Sequence, residues 1–158
     1  MATKVVEPVF VDTNNLVHAN DEDSAFHADA RARLTELDSS GCDLRINRQV
    51  LREYAVVVGR KMHEKNAFDA KALTADLSRF ETEFLVADED QEVTAQLKKL
   101  INSHAVKGKP VHDANIVATM LTHGITRLLT QNEGDFTRYR PLIEVLSLVT
   151  ETSENPAP

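Results

Sequence analysis

The stretch Val9-Phe-Val-Asp-Thr-Asn-Asn-Leu-Val17 decides how the rest of the chain is read. Val9, Phe10 and Val11 form a short β-branched and aromatic run that predicts a strand ending at Asp12. Asp12 and Thr13 suit the cap of a helix whose apolar turn is Leu16, Val17 and Ala19. A strand that runs straight into a helix implies a crossover connection, and crossovers imply parallel strands.

The same alternation continues downstream. Phe26, Ala30, Leu34 and Leu37 recur at helical spacing across residues 24–37, and Ser39, Ser40 and Gly41 end that helix before a second strand at 42–46. Val50, Tyr54, Val57, Val58 and Met62 predict a helix over 48–62, followed by another over 68–84 and a brief strand over 84–87. Residues 91–106 read as helical through Val93, Leu97, Leu100 and Ile101, with Gly108 as the break. Pro110 suits the first turn of the next helix, which carries Ile116, Val117, Met120 and Leu121 to a stop at Gly124. Leu128 and Leu129 mark a strand, 132–135 a turn, and 145–149 a last strand. The expected fold is therefore α/β, with a mainly parallel central sheet flanked by helices.

At 158 residues the chain fits one domain, expected over 1–150, with the polar, proline-bearing segment 151–158 as a disordered tail. Apolar content of 42% and charged content of 27% are ordinary for a globular protein, and no apolar run approaches a bilayer span, so a cytoplasmic protein is expected. Cys42 is the single cysteine, which excludes an internal disulfide and reads as a buried thiol, and the six histidines lack the paired spacing of a zinc site. A net charge of −7 argues against binding nucleic acid over the whole surface. The acidic excess is local, however, at Glu81, Glu83, Asp88, Glu89, Asp90 and Glu92, while basic residues gather at Arg45, Arg48, Arg52, Arg60, Lys61 and Lys65.

Four acids stand out. Asp12 closes the first strand, and Asp135 lies just beyond a late one, where ligands bind in parallel sheets. Each also has a plain structural reading, as a helix cap and a turn residue. Asp113 shares its helical direction with Ile116, Val117 and Met120, so it lies on the stripe that faces the core, where an unpaired carboxylate is costly. Glu53 lies one turn from Val50 and Val57, at the edge of its helix's apolar face. Carboxylates that converge repel one another unless a cation offsets them, and a site of Asp and Glu without Cys or His suits Mg²⁺ or Mn²⁺. The chemistry implied is phosphoryl transfer to water, with no side-chain nucleophile.

These segments resemble the motifs of PIN domains. Val9–Val17 is similar to the family's opening strand and turn, Val111-His-Asp-Ala-Asn-Ile-Val-Ala118 to its third motif, and Leu129-Thr-Gln-Asn-Glu-Gly-Asp-Phe136 to its fourth. Glu53, in Leu51-Arg-Glu-Tyr54, stands where the family places its second acid. The likeness spans residues 9–149 and implies a three-layer PIN-like fold. It also implies that Asp12, Glu53, Asp113 and Asp135 are the metal and catalytic acids, that Thr130 and Asn132 support the site, and that Asn14 orders the first turn. In length and in the context of Glu53 the chain looks like VapC toxins, which implies an endoribonuclease, a homodimer, and a cognate VapB-type antitoxin whose C-terminal segment crosses the active-site groove. Asn115 and Ile116 depart from those PIN domains that carry a further acid near the third motif, so a single metal is expected.

Two other acidic α/β pockets fit less well. A phosphoryl-receiver domain needs an acidic pair early and a lysine after a late strand, but Phe10 and Val11 precede Asp12 and no lysine follows Lys109. A haloacid-dehalogenase-type phosphatase needs a second aspartate where Asn14 stands. A catalytically silent PIN-like binding module and an RNA-processing nuclease outside any toxin system are the remaining alternatives. Arg48 and Arg52, near Glu53 on one helix, are the expected phosphate contacts, with solvated surface charge as their plain reading.

Overall fold

The computed structural model describes residues 7–149. Five strands, β1 (Pro8–Val11), β2 (Asp43–Asn47), β3 (Leu85–Ala87), β4 (Arg127–Thr130) and β5 (Glu144–Ser147), form one sheet in the order β3-β2-β1-β4-β5. Every pairing is parallel, which sharpens the expectation of a mainly parallel sheet. Two of the three inner strands, β1 and β4, show why their sequences carry no polar alternation. Val9, Phe10 and Val11 of β1, and Leu128, Leu129 and Thr130 of β4, are fully buried, as strands covered on both faces must be.

Six helices make the crossovers: α1 (Thr13–Asn20), α2 (His27–Ser39), α3 (Arg48–Glu64), α4 (Ala70–Glu83), α5 (Gln91–His104) and α6 (Pro110–Thr122). The chain steps from β1 through β2 to β3, then returns past β1 to β4 and β5. With right-handed crossovers this reversal puts α1 to α4 on one face and α5 and α6 on the other, giving three layers. It also makes the carboxyl ends of β1 and β4 the switch point, where crossovers leave in opposite directions and open a crevice.

Local chemistry sets the helix ends. Asp12, Asn47, Asp69 and Asp90 each cap a helix by accepting a backbone N–H with the side chain, and Pro110 occupies the first turn of α6. Gly124 ends α6 at φ +67°, a conformation that costs a residue with a Cβ.

Three expectations are corrected in detail. α5 stops at His104, before Val106, because Ala105 turns left-handed at φ 49° and swings Val106 into the core. The turn expected at 132–135 is a 3-10 helix, Glu133–Tyr139, whose three residues per turn put Phe136 and Tyr139 together in the core. The last strand is Glu144–Ser147, because its partner β4 ends at Thr130, opposite Ser147; Leu148 then packs with Ala19 and Ala30. Cys42 is half-buried, and the expected tail at 151–158 lies outside the described residues. Among the described residues no helix is long and apolar enough to cross a membrane.

Candidate active site

Asp12 is where the fold concentrates its constraints. Its backbone N–H continues the β1–β4 ladder by donating to the Leu129 carbonyl at 3.0 Å. Its side chain leaves the sheet at the switch point and remains buried, 7% exposed. Oδ1 accepts from the Thr13 backbone N–H at 2.8 Å, and Oδ2 accepts from the Thr130 hydroxyl at 2.9 Å. Thr130 Oγ1 accepts in turn from the Asn132 N–H at 3.0 Å, so Thr130 and Asn132 both serve the aspartate. Asn14 brings its amide nitrogen to 3.5 Å from Asp12 Oδ2 and accepts from the Gln131 N–H at 3.3 Å, which ties the first turn of α1 to the loop after β4.

Glu53 reaches the same place from α3. Thr13 Oγ1 donates to its Oε2 at 2.8 Å and Gln49 Nε2 donates to its Oε1 at 2.7 Å, so both oxygens are held by neutral donors. Asp113 arrives from the first turn of α6, half-buried, and among the described residues its carboxylate has no hydrogen bond or ion pair. Asp135 is exposed on the 3-10 helix, and its backbone N–H donates to the Asn132 carbonyl at 3.1 Å.

These acids act on one another through their charges. Burial pushes Asp12 up to about 6, opposed by its bonds to Thr130 and Thr13 and reinforced by the charges of Glu53 and Asp135. Burial likewise pushes Asp113 up to about 7, and the charges of Asp12, Asp135 and Glu53 push the same way against Arg138. Asp12, Glu53 and Asp113 line a cleft of about 740 Å³ together with Asn132; Asp135 is not on its wall, though its charge acts on both aspartates.

Among the described residues no three His, Cys, Asp or Glu side chains stand close enough to form a ready cation cage. The donor set nevertheless fits a hard divalent ion: carboxylate oxygens without thiol or imidazole, mutual repulsion, and in Asp113 a half-buried carboxylate with no donor of its own.

The two arginines separate. Arg52 lines the cleft, whereas Arg48 turns to Glu81 at 2.7 Å and Asp88 at 3.7 Å and takes no part in the wall. Arg45, Arg60, Lys61 and Lys65 also have acidic partners, so of the basic group read from the sequence only Arg52 makes no ion pair among the described residues. Lys109 makes none either, and it lines the cleft at the start of α6 beside His112. His18 also lines the cleft, its imidazole kept below its usual range by partial burial and by Lys61.

Sequence reasoning missed polar residues around the acids, of which Gln49 also lines the cleft. Asn15 is fully buried and donates to the carbonyls of Leu129 at 2.7 Å and Asp12 at 3.1 Å, pinning α1 to the end of β4. Gln49 is 3% exposed, and its one sequence signal was its place one helical turn before Glu53.

Together, fold and cleft define a three-layer parallel α/β domain with an acidic site at its switch point. The chain belongs to the PIN domain family, whose model matches residues 9–141. No curated protein matched in sequence. Among solved structures the fold is similar to that of VapBC2 from Rickettsia felis bound to a DNA fragment from its promoter, at 18% identity and a TM-score of 0.63, covering 88% of this chain and 97% of that one. A toxin–antitoxin complex from Klebsiella pneumoniae matches at 20% identity and a TM-score of 0.61, covering 89% and 98%. The sarcin–ricin loop cleaving toxin VapC20 of Mycobacterium tuberculosis matches at 21% identity and a TM-score of 0.58, covering 76% and 86%.

Proposed function

We propose that this chain is a metal-dependent endoribonuclease and the toxin of a VapBC-type toxin–antitoxin pair. The observation that carries this reading is that Asp12, Glu53 and Asp113, from three separate elements, line one cleft at the switch point, within reach of the charge of Asp135. Membership of the PIN family supports it, as does a fold shared with toxins that include an RNA-cleaving one.

In this reading the four carboxylates hold Mg²⁺ or Mn²⁺, with Asn14, Thr130 and Asn132 keeping Asp12 and its loop in place. The ion supplies the charge that offsets the acids, acidifies the attacking water and stabilises the leaving oxygen. A water gives up a proton as its oxygen bonds to phosphorus, the bond to the departing ribose oxygen breaks with its electron pair, and that oxygen takes up a proton, so that one water is added across the broken bond. Arg52 and Lys109, both free of acidic partners among the described residues, bind the flanking phosphates. Arg48, engaged with Glu81 and Asp88, is assigned no phosphate in this reading. The cognate partner is a VapB-type antitoxin, the working assembly a homodimer and the site of action the cytoplasm. Solved toxin–antitoxin complexes of this fold support the partner.

Incubating the purified, antitoxin-free protein with total RNA, with and without Mn²⁺, tests the activity. Cleavage that requires metal and is abolished by Asp12→Ala is expected. A folded protein that leaves RNA intact at millimolar Mn²⁺ is instead a silent PIN-like binding module. Expression with and without the adjacent reading frame separates a toxin, whose growth arrest the neighbour relieves, from an RNA-processing nuclease.

A further inference from the structure

We infer that Gln49 and Asn115 form a positioning relay that fixes Glu53 against the Asp113 end of α6, an inference that rests on the metal-dependent reading above. Gln49 sits at the start of α3 and Asn115 in the second turn of α6, so the pair spans the two helices that deliver these acids.

The direction of each bond follows from what each atom is able to do. Gln49 Nε2 lies 2.9 Å from the His112 carbonyl oxygen, and a carbonyl only accepts; that end of the carboxamide is therefore the nitrogen. The same nitrogen donates its second hydrogen to Glu53 Oε1 at 2.7 Å. Gln49 Oε1 must then accept, and Asn115 Nδ2 donates to it at 2.7 Å. The chain of donors runs in one direction, from Asn115 through Gln49 to the carboxylate. Reversing the Gln49 amide would set its oxygen against both the His112 carbonyl and Glu53, two groups that only accept, which removes that alternative.

A second bridge holds the same helices together. Asn47, the cap of α3, donates through Nδ2 to the Thr119 hydroxyl at 3.2 Å, and that hydroxyl donates to the Asn115 carbonyl at 2.9 Å. Thr13 Oγ1 completes the grip by holding the other oxygen of Glu53. Since His112 immediately precedes Asp113, the Gln49 amide clamps one acid by its carboxylate and the neighbouring acid by its backbone. None of these bonds places Gln49 or Asn115 on the reacting atoms; they act through Glu53 and Asp113. Such outer partners typically govern metal affinity by 10–100-fold.

The test is calorimetric titration with Mn²⁺ alone, without RNA, on wild type, Gln49→Leu, Asn115→Leu and the double variant. Each single variant is expected to bind Mn²⁺ roughly 10-fold or more weakly. The double variant should be no weaker than Gln49→Leu, because Asn115 acts only through Gln49. The Mn²⁺ concentration for half-maximal cleavage of total RNA should rise in parallel, with cleavage restored at saturating metal. Unchanged Mn²⁺ affinity in either single variant, or additive losses in the double, overturns the relay. Should a leucine variant lose its cooperative melt, Gln49→Met and Asn115→Ser are read by the same criteria. Wild type that binds Mn²⁺ beside unaffected variants sinks the relay alone; wild type that neither binds Mn²⁺ nor cuts RNA sinks the relay and the nuclease reading together.

Discussion

Asp12 shows how one residue trades stability for a charged site. It is a helix cap, a continuation of the β1–β4 ladder and a buried anion at once, and burial pushes its carboxyl up to about 6. Keeping it ionised at neutral pH without a cation costs on the order of 3 kcal/mol, at about 1.4 kcal/mol for each tenfold change in proton affinity. Asp12→Asn keeps an oxygen for the Thr13 N–H and presents an amide that the Thr130 hydroxyl accepts. The variant should melt at least 3 °C or so above wild type at pH 8 in EDTA, while cleavage falls by about 100-fold or more. Differential scanning calorimetry and an RNA digest check the two halves. Asp113 joins Asp12 in a pH dependence whose sign is fixed. Both carboxyls hold protons more tightly folded, at about 7 and about 6, than at the ordinary 3.8 of the unfolded chain. The metal-free protein therefore loses stability as pH rises from 4 to 7, and saturating Mg²⁺ should flatten that fall; melting temperatures across this range with EDTA or Mg²⁺ measure it. Asp113 was legible in the sequence because helical phase put a carboxylate among core residues. Gln49 and Asn15 were not, since a buried amide looks like any surface amide until its partners, from elements far away in the chain, are known.

At the scale of the element, α3 carries both an acid and the cations that were expected to serve it. Arg48 and Arg52 are one turn apart, yet the first faces the acidic residues Glu81 and Asp88 and the second faces the cleft. Arg52→Ala should slow cleavage of total RNA by about 5- to 20-fold at low salt and by less at high salt, whereas Arg48→Ala should change it less than about twofold. Rates at two salt concentrations make the comparison. Periodicity alone left the two arginines equivalent, because what separates them is the acidic surface of α4 and the loop after β3. The 3-10 helix Glu133–Tyr139 was read as a turn because one apolar pair, Phe136 and Tyr139, in seven residues is too short a pattern to mark a helix. The strands and long helices were legible because buried parallel strands and amphipathic helices write their periods into the chain.

The whole molecule eases the conflict between a net charge of −7 and the proposed RNA substrate. Most of the basic side chains read from the sequence are neutralised by local acids, and two cations that make no ion pair among the described residues, Arg52 and Lys109, stand at the cleft. The order β3-β2-β1-β4-β5 brings Asp12, at the end of β1, beside Thr130, at the end of β4, and lets α3, α6 and the 3-10 helix present the other acids from both sides. Sequence patterning predicted a parallel sheet but not this order, which depends on where the return crossover from β3 lands. The proposed chemistry requires that this crevice take up a divalent cation. Its most direct measurement is the melting temperature of the purified protein in EDTA and in Mn²⁺ at about 100 times the Kd or, failing any sign of binding, at 10 mM or so. Wild type should rise by roughly 5–10 °C, as stabilisation of about 2.7 kcal/mol requires, and Asp12→Ala should not rise; an unchanged wild-type melt in Mn²⁺ and in Mg²⁺ would contradict it.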